Sequence, residues 1–358
     1  MRLPTTTRTL SVIGCHAEGE VGDVVIGGVL DVPNSCTTMY DKLVHFHTHN
    51  DALRSLLLNE PRGRSLMNTN VVLPPCHPAA AAGFLTMESE EYAPMSGSNT
   101  ICTTTVLLET GMVAMREPVT ELALDTAAGL VHVRAECAGG KCRTVEFANV
   151  PAFVFALDYP VDVPGLGCVK VDVAWGGMMY ALVDAREVGL SIENRNGPRL
   201  VEVGERIKRA VQAQYTPVHP ENPRIRGVSI LAFMEPLEEG EGCKTAVNAV
   251  VVAPGRFDRS PCGTGSSARM AVLHARGQLV VGETLRHRSI IGTEFVCRIT
   301  GTTKVGEYDA VLPTVKGRAW ITSFKQIVLD VTDPFPEGFR VGVQWHMVDD
   351  DPTSKSGN

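Results

Sequence analysis

The chain contains no CxxC pair, and its ten cysteines, at 15, 36, 76, 102, 137, 142, 168, 243, 262 and 297, follow no regular framework. A disulfide scaffold is therefore not indicated, and the set reads as reduced thiols, mostly small core residues. Lysine and arginine never gather into a basic run and the net charge is −7, which argues against a nucleic-acid partner. No 18 apolar residues run together, and the first stretch, MRLPTTTRTLSVIG, lacks an apolar core of signal-peptide length. The expectation is a soluble, cytoplasmic protein with no membrane partner. Neither a Walker-type loop nor a GxGxxG fingerprint occurs, and nothing marks a pyridoxal lysine, so no cofactor is expected.

What the chain does have is length and apolar content. Its 358 residues are 44% hydrophobic and 20% charged, enough for a large core divided between two lobes. An internal offset of 166 lays DRSPCGTGSSARMAVLHARGQL over MSGSNTICTTTVLLETGMV. In that register Ser96 meets Cys262, Gly97 meets Gly263, Ser98 meets Thr264 and Gly111 meets Gly277. Each stretch reads as a nucleophile, a glycine turn, an apolar helix of about three turns and a C-terminal glycine. A helix start offers free N–H groups and the positive end of the dipole. It can hold a carboxylate and is expected to lower the pKa of a thiol beside it. Two such starts facing one cleft could grip a small anionic substrate between them.

The rest of the chain supports two matching lobes. Residues 8–32 alternate apolar and polar positions as a hairpin, with His16, Glu18 and Glu20 in a charged turn region. His45, His47 and His49 would share a face on a strand, but no carboxylate or cysteine partner is visible nearby. They read as solvated residues at a helix entry, with no metal site. Strands are expected at 70–73, 84–87, 121–124, 130–136 and 144–149, around a helix at 99–110. From 169 the pattern restarts, with a helix at 200–213, a strand at 227–234 and the second helix at 262–278. The expected division is a first lobe at 1–168, a second at 169–330, and a segment at 331–358 whose strands return to the first lobe before a frayed tail.

The stretch DRSPCGTG followed by a small-residue helix resembles the second catalytic motif of the proline racemase family. That family includes hydroxyproline 2-epimerases and trans-3-hydroxy-L-proline dehydratases. MSGSNTI resembles the family's MCGHGTI segment, with Ser96 for the usual cysteine and Ser98 for the usual histidine. Further matches are HAEGE (16–20), EPRG (60–63), DTAAGLV (125–131), NVPAF (149–153), GGMMYALVD (176–184) and IIGTEF (290–295); Arg64 stands where a histidine is expected after EPRG. The resemblance implies a mixed α/β fold like that of diaminopimelate epimerase. Two pseudo-symmetric lobes, each a curled sheet or barrel around a central helix, would flank the active site, with the 16–20 loop as one wall of the cleft.

It also implies cofactor-independent removal of an α-proton. Cys262 would be the principal acid/base and Ser96 a proton relay, although either could face the α-hydrogen of the L-substrate. Backbone groups at Gly97, Ser98, Gly263 and Thr264 would take up the charge that develops on the carboxylate, and Asp258 would hold the ring nitrogen. A serine hydroxyl is a far weaker acid or base than a thiol, which breaks the symmetry that racemisation wants. Dehydration of trans-3-hydroxy-L-proline to Δ1-pyrroline-2-carboxylate therefore ranks first and 2-epimerisation of a 3- or 4-hydroxyproline second. Proline racemisation and a non-catalytic imino-acid-binding role remain alternatives, and a homodimer is compatible with the sequence.

Overall fold

In the computed structural model, residues 6–30, 32–240, 242–252 and 255–341 are described, side chains from residue 8 onward. The chain begins with a hairpin of β1 (Thr6–Ala17) and β2 (Glu20–Gly27), turned by Glu18 and Gly19, both at positive φ. Helices α1 (Met39–His49) and α2 (Asp51–Leu58) follow. Next, β3 (Asn68–Leu73) lies parallel to β2, and β4 (Ala82–Met87) runs antiparallel to β3. After the short β5 (Tyr92–Ala93) comes α3 (Gly97–Glu109). Then β6 (Val119–Thr126) returns parallel to β4 and leads an antiparallel meander with β7 (Gly129–Ala138) and β8 (Lys141–Ala148). The strand β9 (Ala152–Val163) ends this succession.

The same succession then recurs. Strands β10 (Gly167–Trp175) and β11 (Met179–Asp184) form a hairpin, followed by α4 (Gly197–Gln214) and a separate ribbon of β12 (Val218–His219) and β13 (Asn222–Arg226). After these, β14 (Ile230–Met234) lies parallel to β11. Past β15 (Glu238–Gly240), β16 (Cys243–Val252) runs antiparallel to β14. Past β17 (Arg256–Phe257) and α5 (Gly263–Ala275), β18 (Thr284–Arg288) is parallel to β16. It opens a meander with β19 (Glu294–Val305) and β20 (Tyr308–Gly317), and β21 (Ala319–Asp330) follows. The closing strands are exchanged: β9 pairs with β10, and β21 pairs with β1 along its length. Residue 168 lies in β10, and residues 342–358 of the expected tail fall outside the described part.

The offset of 166 extends to helix boundaries, since α3 and α5 start and stop at residues that differ by that number. Both end on a glycine at positive φ, Gly111 and Gly277, and the next turn closes alike, Val113 N–H to Leu107 O and Leu279 N–H to Leu273 O. Every residue of α3 except Glu109 is buried. One continuous apolar cluster packs Ile101, Val106 and Leu107 of α3 with Met270, Ala271 and Leu273 of α5. Helix α4 is amphipathic and seals a second cluster with Leu200, Val203, Ile207 and Val211.

The histidine-rich segment is itself helical, with His47 and His49 in the last turn of α1, so the three side chains do not share a strand face. A capping box begins that helix: Asp41 N–H donates to Thr38 Oγ1 at 3.0 Å and Thr38 N–H to Asp41 Oδ2 at 2.9 Å. The TxxD signal was available in the sequence. Among the described residues no group of three or more His, Cys, Asp or Glu side chains is placed to hold a metal.

The helices α3 and α5 meet at their first residues. A Cβ on Gly97 would lie 2.9 Å from Gly263 Cα and 2.6 Å from Phe147 Cζ, and one on Gly263 would lie 3.0 Å from Gly97 Cα. Gly97→Ala is expected to cost about 1–3 kcal/mol in urea unfolding, as overpacking of a filled site does. Gly197→Ala is the control: its Cβ meets only a Phe257 ring carbon at 3.6 Å, so its cost should stay within about 0.5 kcal/mol.

Candidate active site

Because the helix starts touch, their caps share one space. Ser96 precedes α3 and Cys262 precedes α5, and both line one small cavity. All seven residues singled out in the sequence, Ser96, Gly97, Ser98, Asp258, Cys262, Gly263 and Thr264, border it. Arg64 is exposed and does not. The 16–20 loop is not a wall of this cavity either, and its charges are not solvated. Glu18 and Glu20 are both buried; Glu18 pairs with Arg318 at 3.0 Å, and Glu20 stands behind the wall.

Cys262 is held at φ +63°, ψ 114°, in the half of the map that side chains avoid. Such a backbone costs on the order of 1–3 kcal/mol and persists only where its surroundings enforce it. It aims the sulfur back at its own helix, where Gly265 N–H donates to Sγ at 3.4 Å. Tyr180 Oη lies 3.1 Å from that sulfur and 2.6 Å from Thr264 Oγ1. Tyr180 belongs to the GGMMYALVD stretch, but its approach to the thiol depends on β11 passing under α5, which the sequence does not reveal. On the opposite cap, Ser96 Oγ accepts from Asn99 Nδ2 at 2.9 Å.

The expected thiol shift is reversed. Burial pushes Cys262 well above the ordinary thiol range and nearby Asp258 adds to it, while the bonds from Tyr180, Thr264 and Gly265 only oppose the rise. Removal from water outweighs the helix end here.

The acidic side of the cavity centres on Arg256, whose side chain is 2% exposed. Its guanidinium lies 3.3 Å from Glu20, 3.5 Å from Glu88 and 3.8 Å from Asp258. Asn68 ties the group together, donating to Glu20 at 3.0 Å and accepting from Arg256 at 3.1 Å. Burial first, then the charge of Glu20, raise Asp258 to about 7. Burial raises Glu88 to about 8 against the pull of Arg256. Sequence reading named Asp258 and, in the 16–20 loop, Glu20, but missed Arg256, Glu88 and Asn68; Arg256 and Glu20 lie 236 positions apart in the chain.

This arrangement has counterparts among known proteins. The proline racemase family model matches residues 12–340. The chain belongs to the proline racemase family. A hydroxyproline epimerase from Agrobacterium vitis, solved with trans-4-hydroxy-L-proline bound, is 40% identical, with a TM-score of 0.88 over 95% of this chain and 96% of that one. A probable proline racemase from Agrobacterium radiobacter K84, with carbonate bound, is 41% identical, with a TM-score of 0.86 over 93% and 96%. A PhzF-family phenazine biosynthesis protein from Bacillus anthracis shares the fold at 11% identity and TM-score 0.57. The mixed α/β fold and an epimerase-class enzyme of this family are thereby shown.

Two measurements test the electrostatics. Native Glu88 keeps its proton to about pH 8, whereas the unfolded carboxyl releases it near 4.5. The stability this adds is full below pH 4.5 and is lost as pH rises towards 8. In Glu88→Gln the fall in Tm between pH 5 and 8 should be shallower than in the parent protein; parallel curves would place that proton elsewhere. Tyr180→Phe removes a donor from the sulfur, and alkylation of Cys262 by iodoacetamide at pH 8 should slow about three- to tenfold, the effect of one lost hydrogen bond. An unchanged rate would mean that Tyr180 spends its proton on Thr264.

Proposed function

We propose that this protein moves the α-proton of a hydroxyproline without a cofactor, and that its main reaction is 2-epimerisation of 4-hydroxyproline. The observation that carries the reading is the single cavity bordered by a thiol and a hydroxyl from two touching helix starts. The first N–H groups of a helix have no partner within it. Those of Gly97, Ser98, Gly263 and Thr264 would therefore hold the substrate carboxylate and stabilise it as charge moves there from Cα. Asp258 would take the ring nitrogen. That nitrogen is cationic, and its arrival supplies the positive charge that the buried thiol and raised carboxyls lack, favouring thiolate and carboxylate together. The thiolate of Cys262 would then remove the proton from one face of Cα while Ser96 serves the other.

The sequence ranks dehydration of trans-3-hydroxy-L-proline first. Likeness to an epimerase with trans-4-hydroxy-L-proline bound moves epimerisation ahead, and dehydration stays as the second reading because the two acids are so unequal. The facing segments, 1–168 and 169–330, would act as the lobes that carry them.

Incubation with the 3- and 4-hydroxyprolines and proline in deuterium oxide separates the readings. The expected product from trans-4-hydroxy-L-proline is cis-4-hydroxy-D-proline carrying one deuterium at Cα. Cys262→Ala should lose at least about a thousandfold of the rate, as expected for a group that moves the proton itself. Pyrroline carboxylate from the 3-hydroxy isomer alone would favour dehydration. Binding without deuterium incorporation from any isomer would leave only an imino-acid-binding protein.

A further inference from the structure

The two caps differ in backbone and in chemistry: Cys262 sits at φ +63° and Ser96 at φ −144°, and the difference extends beyond the serine and the cysteine. At the third residue of α5, Gly265 reaches the cap sulfur with its backbone N–H. The corresponding third residue of α3 is Asn99, and here the side-chain amide reaches the cap oxygen while Ser96 makes no backbone cap bond. With Ser96 extended where Cys262 has positive φ, the serine oxygen takes no bond from the backbone of its own helix. The Asn99 side chain supplies the donor instead.

Asn99 is not free to turn. Its Oδ1 accepts from Asn70 Nδ2 at 2.7 Å, and Asn70 Oδ1 accepts from Thr86 Oγ1 at 2.9 Å. Asn70 and Asn99 are fully buried and Thr86 is 2% exposed. The polarity of the chain is anchored at its far end, where Asn70 Nδ2 also faces the Asp23 backbone carbonyl at 3.4 Å. A carbonyl can only accept, so that atom of Asn70 is a donor. The atom of Asn99 facing it is then an oxygen, and the atom of Asn99 facing Ser96 is an N–H donor. Room for this arrangement comes from Gly22, where a Cβ would lie 2.5 Å from Asn99 Oδ1.

We propose that Asn99 is the positioning residue for Ser96: it occupies a lone pair of the hydroxyl, turns the O–H toward the cavity, and makes Ser96 the proton donor opposite Cys262. This rests on the proton-transfer function proposed above. In the step it implies, the Cys262 thiolate takes the α-proton and becomes a thiol. Ser96 gives its own proton to the other face of Cα and becomes an alkoxide, whose charge the Asn99 N–H stabilises. A proton passes from thiol to alkoxide through solvent to restore the starting state.

The test is a double-mutant cycle of Asn99→Asp and Ser96→Ala, read as kcat and KM for epimerisation and as deuterium incorporation. Asparagine and aspartate are isosteric, but the carboxylate offers Ser96 an acceptor in place of the donor. Asn99→Asp should lower kcat about a hundredfold, the usual effect of removing one such donor, with KM nearly unchanged. In the Ser96→Ala background it should cost nothing more. Asn99→Ala, which removes the donor without adding a charge, should lower kcat likewise, and it serves where Asn99→Asp does not fold. Equal losses in both backgrounds, a loss confined to KM, or full activity of Asn99→Asp or Asn99→Ala would each overturn the proposal. If the parent protein exchanges no proline isomer, the proposed function fails instead. The orientation is then read from crystal structures: Ser96 should leave its rotamer in Asn99→Asp, and an unmoved hydroxyl would refute the role of Asn99.

Discussion

The close approach of Gly97 to Gly263 is the constraint on which the site depends. Two helix starts can face one small cavity only if their backbones nearly touch, and any Cβ at either position would enter the other backbone or the ring of Phe147. Glycine at both places converts two ordinary caps into one site. The exchange of closing strands, β9 to β10 and β21 to β1, holds the helices in that relation, because each succession of strands is completed by the other. The positions of the caps are therefore fixed by the whole sheet and not by a local loop.

The chemistry of the cavity follows from what burial does to charge. Burial is the larger cause that keeps Glu88 and Asp258 protonated well above their ordinary range, and Arg256 pulls against it. The same removal from water keeps the Cys262 thiol protonated despite its place at a helix start. Under the proposed function, a zwitterionic imino acid would bring a cation on its nitrogen and meet helix N–H groups with its carboxylate, favouring the reactive protonation states.

The sequence carried the repeat well because helix boundaries are local. The glycine turn, the apolar run and the terminal glycine are all visible within about twenty residues, and the offset of 166 aligned them. The seven residues bordering the cavity came with those turns. What the sequence hid were interactions over long separations: Tyr180 under the thiol, and Arg256 with Glu20 and Asn68. No periodicity marks such pairs, because they arise where two parts of a sheet pass each other. The direction of the thiol shift was misjudged for a related reason. Proximity to a helix start can be read from spacing, but the extent of burial is a property of the folded molecule. The histidine-rich stretch reads as solvated residues at a helix entry, and the TxxD capping box before it starts the helix early enough to take them in.

The repeat also separates what symmetry imposes from what it leaves free. Helix length and C-terminal turn are shared by α3 and α5, while the backbone of the cap residue is not, and the shared features are set by packing that must close on both sides. The cap side chain and its donor are not shared. In α5 a sulfur takes a backbone N–H from a glycine, and in α3 an oxygen takes a side-chain N–H from an asparagine braced by Asn70 and Thr86. In both caps the third residue of the helix supplies the donor, so the requirement conserved between the halves is an N–H aimed at the cap atom and not a residue type. The donor is therefore matched to the cap backbone: at the extended Ser96 a side chain reaches the cap atom, and an asparagine at that depth needs a neighbour as small as Gly22 to admit it.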